Sequence, residues 1–460
     1  MRDSQALDEL VLDARFKGFP LERAPFRLGD TARQGLHLLR GDLPFPCAVL
    51  RAQALDHNIR WYAAFARELG IDFAPHGKTS MAPQLFARQL HAGAWGITVG
   101  TVQQAWVAAS AGAPRIVLAN QIATVGEARR WLRIGADYPG VRMISLLDSQ
   151  EQLGLLAQAV VNDAHHAPGS DNRRAFEVLI ELGRHGGRTG CRSVRAAHAL
   201  ALQADQTPGV RVVGVEAYEG LAASADSVAD AALVSAWMGE LEELVALMEC
   251  DGVGHAQDEL IVSAGGSSLF DLVADALVAA RARAHAVPRQ RPWRIVLRSG
   301  CYITHDDGSY LRMQQAMEHR GLTRTIREGL RFSCCAAHWR GSRQGGLQPA
   351  LEVWAAVQSR PEPELALVGM GRRDAGSDAG MPIPVLHARD GTVVRAPAHW
   401  RVRALNDQHG YLIVGASDAL RVGDLVGFGI SHPCTTLDKW RLLWVIDDAY
   451  NVQQAICTCF

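Results

Sequence analysis

From residue 71 onward, short apolar runs alternate with segments in which apolar residues recur at helical spacing. The runs consist mainly of Val, Ile, Leu and Ala, which is typical of parallel strands covered on both faces. We predict eight such strands, at residues 71–76, 96–100, 115–120, 143–148, 176–182, 212–219, 259–265 and 295–300. Helices are predicted between them, among others at residues 102–111, 149–164, 193–204, 227–248 and 269–284.

Eight strands with helices between them predict an α/β fold, a (β/α)8 barrel. A doubly wound open sheet is the alternative, but it would carry a glycine-rich dinucleotide turn after its first strand, and the sequence has none there. One more strand, at residues 47–51, precedes the eight together with a helix at residues 54–69. As a ninth strand it does not fit the barrel, and we assign it to a second domain.

The pattern changes at about residue 330, where apolar and polar positions alternate and Gly, Pro, Asp and Asn separate the runs. This pattern predicts a C-terminal antiparallel β domain, with an ordered loop at residues 370–384. Its strands are predicted at residues 350–358, 365–369, 411–414, 424–428 and 441–446. The predicted organisation is an N-terminal extension (1–44), the barrel (45–325, with strand 47–51 joining the β domain) and the β domain (326–460).

Composition restricts the class of protein. The chain has 460 residues, 48% of them apolar, and a net charge of −1, which argues against nucleic acid or an acidic membrane as its partner. No stretch approaches the ~18 apolar residues of a membrane helix, and the N-terminus lacks the pattern of a signal peptide. The nine cysteines, including the adjacent Cys334 and Cys335, form no C-x-x-C pair. We therefore expect free thiols in a reducing cytoplasm.

The first predicted strand leads into Pro75-His76-Gly77-Lys78-Thr79. A lysine at the carboxyl end of a barrel strand lies at the mouth of the fold, where it can form a Schiff base with a carbonyl cofactor. The alternative is an ordinary lysine in a surface loop. The turn is not a phosphate-binding P-loop, because Asp72 stands where that motif requires glycine.

Small and polar residues follow the last two barrel strands. Gly265-Gly266-Ser267-Ser268 opens a predicted helix, where free N–H groups and hydroxyls can face an anion. The usual phosphate site of such barrels lies after strands seven and eight. Position therefore favours a phosphate site over a plain helix cap.

The β domain contains Ser431-His432-Pro433-Cys434. An imidazole and a thiolate two residues apart on extended chain point the same way, and both are good zinc ligands. Two protein ligands would leave positions for water or substrate, as a catalytic metal requires. A buried cysteine beside a structural histidine is the alternative.

Together these segments resemble the D-serine dehydratase and D-threonine aldolase family of pyridoxal-phosphate enzymes, which share the alanine racemase-like fold, and among them bacterial amino acid deaminases. The resemblance covers nearly all of residues 45–450, although residues 1–40 and several insertions have no counterpart in it. It is carried, in order, by residues 75–79, 93–102, 188–190, 298–302 and 431–434.

The resemblance implies roles for individual residues. Lys78 would hold the cofactor and act as the catalytic base, and His432 and Cys434 would bind zinc, with manganese as the alternative ion. The cysteine favours dehydration, because the aldolases have aspartate at that position and sulfur selects the softer zinc. The other expected cofactor contacts are His76, Arg188, Tyr218, Gly265, Gly266, Ser267, Gly300, Cys301 and Tyr302.

The expected function is dehydration of a D-3-hydroxy amino acid to ammonia and a 2-keto acid. The alternatives are aldol cleavage, racemisation, which would need a second base opposite Lys78, and a non-catalytic cofactor carrier, which would not need the β domain. The resemblance also implies a homodimer with its sites at domain junctions, a small-molecule substrate, and neither nucleic acid nor membrane as partner.

Overall fold

The computed structural model describes residues 7–162, 175–224, 226–254, 258–286, 291–320 and 346–460. Cys334, Cys335 and the predicted boundary at residue 325 lie outside these ranges. The described chain begins with β1 (Val11–Leu12) and β2 (Phe26–Arg27), which form a small antiparallel sheet, followed by β3 (Cys47–Arg51). None of the described helices is long and apolar enough to cross a membrane.

Eight parallel strands form the barrel. They are β4 (Asp72–Phe73), β5 (Ile97–Val99), β6 (Arg115–Gln121), β7 (Arg142–Leu147), β8 (Phe176–Glu181), β9 (Val210–Glu216), β10 (Leu260–Ala264) and β11 (Trp293–Leu297). The sheet order is β4-β11-β10-β9-β8-β7-β6-β5, and a parallel bridge between His76 and Thr98 joins the two ends. The eight strands are those predicted from the apolar runs, and the barrel is confirmed.

Helices follow the strands and cover the barrel. They are α1 (Ala52–Glu68), α2 (Pro83–His91), α3 (Val102–Ser110), α4 (Val125–Asp137), α5 (Gln150–Val161), α6 (Val194–Asp205), α7 (Ser227–Cys250), α8 (Phe270–His285) and α9 (Ser309–Arg320). Side-chain caps define several starts: Thr101, Thr124 and Ser193 each accept the N–H three residues on. These caps direct the chain from strand end to helix, so the strand ends are left at the barrel mouth.

The barrel interior is apolar at its centre and polar at the carboxyl ends of its strands. One fully packed apolar cluster fills the centre and includes Ala74, Val117, Leu179, Val213 and Val296. Charged residues are buried at the carboxyl ends of the strands. Apolar filling makes this barrel a packed core, and the charged layer is where chemistry can occur.

The β domain contains the remaining strands. They are β12 (Leu351–Glu362), β13 (Leu365–Val368), β14 (Ile383–Arg389), β15 (Thr392–Arg395), β16 (Arg401–Leu405), β17 (Gly410–Ile413), β18 (Leu425–Gly429), β19 (Leu442–Ile446) and β20 (Val452–Cys457), with the short helix α10 (Pro433–Leu437) between β18 and β19. Antiparallel pairing dominates, as predicted. β3 pairs with β12 and β19, so residues 47–51 belong to this sheet and not to the barrel.

The N-terminal segment packs against the β domain. Phe19 and Leu38 belong to one buried cluster with Trp354 and Trp444 of the sheet. Lys17 lies 3.7 Å above the Trp440 ring and forms a 2.5 Å ion pair with Asp374. The N-terminal segment therefore stabilises the loop after β13, which contains Asp374 and also Asp378.

Candidate active site

The lysine turn lies at the carboxyl end of β4. Residues Gly77–Thr79 form a 3-10 turn in which Lys78 is exposed. A Cβ on Gly77 would lie 2.8 Å from Phe86, and one on Gly100 would lie 3.7 Å from Lys78 Cδ. The backbone of the turn is therefore tightly packed at Gly77, whereas the Lys78 side chain lies in ordinary contact distance of the end of β5. An exposed lysine in this position can reach a bound ligand.

The turns after β10 and β11 meet beside the lysine turn. The N–H groups of Gly300 and Cys301 both donate to Ser267 Oγ, each at 3.1 Å. Gly265 and Gly266, expected as phosphate donors, instead donate to the buried carboxylate of Glu219, at 3.2 and 2.8 Å. All four N–H groups thus have an acceptor, but the acceptor of Gly300 and Cys301 is a neutral hydroxyl that an anion could replace, whereas that of the two glycines is a carboxylate. The role of the two glycines stays a prediction.

Gly300 joins the anion-donor turn to the lysine turn. A Cβ at Gly300 would lie 2.6 Å from both the His76 carbonyl oxygen and Thr79 Oγ1. Only glycine allows the backbones to approach this closely, since real Cβ atoms are not found at such distances. The covalent and anion-binding halves of the predicted cofactor site are thus held in fixed relation.

Arg188 and Tyr218 face each other across the mouth. Arg188 is exposed in the loop after β8, with Cζ 4.9 Å from the centre of the half-buried Tyr218 ring, a cation–π contact. Burial raises the pKa of Tyr218, so its hydroxyl stays protonated and can donate. The next residue, Thr189, donates to Glu181 at 2.7 Å and anchors the loop to the barrel.

His76 and Tyr302 lie behind the lysine turn. Burial, followed by the charges of Lys78 and Arg298, holds the pKa of His76 well below its usual value, and its Nδ1 has no hydrogen-bond partner among the described residues. Tyr302 stacks on Tyr62, 4.2 Å between ring centres, and accepts a hydrogen bond from Gln89 at 3.0 Å. In the structure Tyr302 is thus a packing residue of the barrel wall; its predicted phosphate contact is untested.

The metal motif lies against the lysine turn of the same chain. Helix α10 packs on residues Gly77–Thr79. The Nδ1 of His432, just before this helix, donates to Asp378 at 2.5 Å, and Thr435 donates to the other carboxylate oxygen at 2.6 Å. This contact fixes the imidazole with Nε2 free to bind a metal, as carboxylate–histidine pairs do in metal sites.

A second thiol lies beside Cys434. The sulfur of Cys434 is 3.5 Å from the sulfur of Cys301, the second thiol, and 3.4 Å from Thr79 Oγ1. The hydrogen bond from Cys301 is the main cause that lowers the pKa of Cys434, against the effect of burial. The same contact and burial raise the pKa of Cys301. Cys434 is therefore the thiol of the pair that ionises first, as a metal ligand must.

Two buried charges under the mouth have no role in the sequence prediction. Arg298, from the segment after β11, is ion-paired with Glu216 at the end of β9, and both are at most 4% exposed. Arg298 also donates to Ser263 at 2.7 Å. Burial raises the pKa of Glu216 to about 8, against the opposing charge of Arg298. The two side chains form a buried polar floor beneath the turns that carry the predicted contacts.

Comparison with known proteins indicates related enzymes. A family model described as a putative serine dehydratase domain matches residues 350–446. The D-threonine aldolase of an Arthrobacter species is 25% identical over 423 residues, 92% of this chain and 93% of that protein. The D-threo-3-hydroxyaspartate dehydratase of a Delftia species is 30% identical over 180 residues, 39% of this chain and 41% of that protein. These matches support a relationship of the chain to the D-serine dehydratase and D-threonine aldolase family.

Solved structures agree on the fold. The D-threonine aldolase from Filomicrobium marinum superposes with a TM-score of 0.68 at 21% identity, covering 92% of this chain and 97% of that one. A cysteine-to-alanine variant of a D-threo-3-hydroxyaspartate dehydratase, in its metal-free form, superposes with a TM-score of 0.66 at 19% identity, covering 91% and 98%. At these identities the superpositions show a shared fold, while the relatives that match in sequence are named for two reactions, aldol cleavage and dehydration.

The donor set suits the cofactor of this family. An exposed lysine, two convergent N–H groups and the Ser267 hydroxyl are the groups that an aldehyde with a phosphate arm requires. For a metal, the residues present are His432 and Cys434. Among the described residues no cluster of three or more His, Cys, Asp or Glu side chains could hold an ion. A bound ion would thus complete its shell with water or substrate.

Proposed function

We propose that this protein is a pyridoxal-phosphate and zinc dependent dehydratase of D-3-hydroxy amino acids, which releases ammonia and a 2-keto acid. The observation that carries the proposal is the position of Cys434: a thiol two residues after His432, on a helix packed against the lysine turn. A metal-ligand thiol beside the catalytic lysine supports chemistry at Cα and at the β-hydroxyl of one substrate.

Each residue contributes a defined function. Lys78 would hold pyridoxal phosphate covalently, and Ser267, Gly300 and Cys301 would bind its phosphate. When bound, the cofactor supplies an electron sink for the charge left at Cα. Nζ of Lys78 takes the proton from Cα. Lys78 can reach the substrate because its side chain is exposed at the barrel mouth.

Arg188 and Tyr218 lie where they can orient the ring and the substrate. We propose that Arg188 faces the pyridine nitrogen, where its positive charge disfavours ring protonation. Tyr218, kept protonated by burial, donates a hydrogen bond to the cofactor or to the substrate. Thr189 ties the Arg188 loop to Glu181, and Arg298 donates to the carbonyl oxygen of Ala217, next to Tyr218. The backbone beside each residue is therefore held by a buried contact.

The choice of metal follows from ligand chemistry. When bound, the ion supplies Lewis acidity toward the β-hydroxyl, which makes hydroxide a tolerable leaving group. A thiolate and an imidazole prefer zinc, whereas manganese prefers oxygen ligands. Because Asp378 engages Nδ1 of His432, Nε2 is the nitrogen that would bind the ion.

Aldol cleavage is the second candidate. It is supported by the Arthrobacter D-threonine aldolase, which matches 92% of the chain. Aldol cleavage requires that the β-hydroxyl lose its proton, whereas dehydration requires that it leave. A metal could lower the pKa of the β-hydroxyl. Cys434 argues against it, because a soft thiolate ligand selects zinc over the harder ions of the aldolases.

We also propose a homodimer in which the β domain of one chain covers the barrel mouth of the other. Ligand pockets commonly lie at such junctions. Sedimentation at assay concentration should give twice the mass of the chain, and a fully active monomer would exclude this arrangement.

Product analysis tests the reaction. Protein loaded with pyridoxal phosphate and Zn²⁺ is given a panel of D- and L-3-hydroxy amino acids, and ammonia, 2-keto acid, glycine and aldehyde are measured. We expect ammonia and keto acid from D-substrates in equal amounts. If glycine and aldehyde are the main products, the enzyme is an aldolase and the proposed dehydration is wrong.

A variant sharpens the test. Cys434→Asp supplies an oxygen ligand, and with Mn²⁺ it should shift products toward glycine and aldehyde. Cys250→Asp is the matched control, because Cys250 is an exposed thiol at the end of α7. Unchanged products in Cys434→Asp would show that this position does not select the reaction.

A further inference from the structure

The two adjacent thiols at the site carry an inference of their own. We propose that Cys301 and Cys434 form a reversible disulfide when the enzyme meets a small-molecule disulfide, and that this bond takes Cys434 away from the metal. The second part rests on the proposed function, and the first part does not.

The geometry places the two sulfurs for this reaction. They are 3.5 Å apart, and a disulfide requires about 2.0 Å, so they must approach by about 1.5 Å. Neither residue lies within a regular strand: Cys301 starts the 3-10 turn after β11, and Cys434 is in the first turn of α10. Rotation about the Cα–Cβ bonds of the two cysteines would supply part of this approach, so the backbone turns need to move by less than the full distance.

The seven described cysteines are all free thiols. Cys301 is 4% exposed and lies behind Cys434, which is half-buried at the mouth. A small oxidant therefore reaches Cys434 first, and Cys301 is in position to resolve the product. Cys191, by contrast, donates to the Asp148 carbonyl oxygen at 3.4 Å and faces no thiol in that contact.

The chemistry is two successive thiol–disulfide exchanges. The Cys434 thiolate attacks one sulfur of the disulfide RSSR, forms a mixed disulfide and releases RS⁻. Cys301 then loses its proton and attacks Cys434 Sγ, releasing the second RS⁻. In sum, two protein thiols and RSSR give one protein disulfide and two RSH, and the protein sulfurs lose the two electrons that RSSR gains.

Two consequences follow for the metal. A disulfide sulfur has no thiolate to donate, so the oxidised protein should bind zinc far more weakly. By linkage, bound zinc must protect Cys434 from oxidation to the same degree. The bond would also join the β domain to the barrel, across 133 residues of sequence.

The experiment uses the full chain with Cys250 and Cys459, both exposed, replaced by serine to suppress other exchange. Metal-free and zinc-loaded samples are incubated with oxidised glutathione. Non-reduced digests are analysed by mass spectrometry, and zinc uptake is titrated before and after dithiothreitol. Cys301→Ser and Cys191→Ser are compared in the same background.

We expect a Cys301–Cys434 cross-linked peptide in metal-free protein, reversed by dithiothreitol, and formed at least tenfold more slowly with zinc. Cys301→Ser should stop at a glutathione adduct on Cys434, while Cys191→Ser should still cross-link. A cross-link in a protein that binds no zinc would support the disulfide and contradict the metal role of Cys434. A lasting glutathione adduct on Cys434 of the metal-free parent, without the cross-link, would overturn the proposal.

Discussion

Replacing Gly300 by alanine should uncouple the two halves of the cofactor site. The new Cβ would lie 2.6 Å from the His76 carbonyl oxygen and from Thr79 Oγ1. An unstrained carbon–oxygen contact is about 3.4 Å, so one of the two turns must move by about 0.8 Å. Displacements of about 1 Å can cost about 100-fold in activity, and overpacking about 1–3 kcal/mol of stability.

The assay separates binding from folding. Pyridoxal-phosphate affinity, followed by visible absorbance, should weaken by about 10- to 100-fold, which is about 1.4–2.7 kcal/mol. Gly154→Ala is the control, since a Cβ at this exposed position of α5 meets nothing within 4 Å. If Gly300→Ala folds and binds the cofactor with parental affinity, the contact between the turns does not position the site.

Three further outcomes are expected. Lys78→Ala should remove the visible absorbance of bound cofactor, borohydride trapping and turnover; a variant that still dehydrates would exclude Lys78 as the base. Asp378→Ala should weaken zinc binding by about 10- to 100-fold in a chelator competition, because His432 loses its orienting partner; unchanged affinity would leave Asp378 without this role. Burial lowers the pKa of His305 to about 4 in the folded protein. As the pH falls, the unfolded chain therefore binds a proton at this histidine before the folded chain does. The free energy of unfolding should then fall by about 3 kcal/mol as the pH drops from 6.5 to 4. His305→Asn should flatten that pH profile.

Most of the barrel could be predicted because its strands are buried on both faces. β8 and β10, for example, are short runs dominated by Val, Leu and Ile, and this pattern is enough to predict them from the sequence. Four strands of the β domain were missed: Ile383–Arg389, Thr392–Arg395, Arg401–Leu405 and Val452–Cys457. The first carries a proline, and the second is largely exposed, so neither shows the apolar signal of a buried strand.

Lys78, His432 and Cys434 could be proposed from the sequence because each stands in a short motif. Asp378 could not, since it meets His432 across 54 residues and lies in a glycine-rich loop with no local sign of its role. The contact between Cys301 and Cys434 joins two domains and is likewise visible only in three dimensions. Glu219 stood next to a predicted site residue, but its bond to Gly265 and Gly266 follows from the packing of two strand ends.

The most direct test of the account is removal of the metal from cofactor-loaded enzyme. With a D-3-hydroxy amino acid in deuterated water, chelated enzyme should keep the absorbance of bound pyridoxal phosphate and still exchange the Cα proton, because Lys78 suffices for that step. Ammonia release should fall by several orders of magnitude and return with Zn²⁺, since Lewis acidity is worth several kcal/mol and each ~1.4 kcal/mol is tenfold. Ammonia release at the full rate from metal-free enzyme would contradict the central claim that His432 and Cys434 hold the ion that expels the hydroxyl.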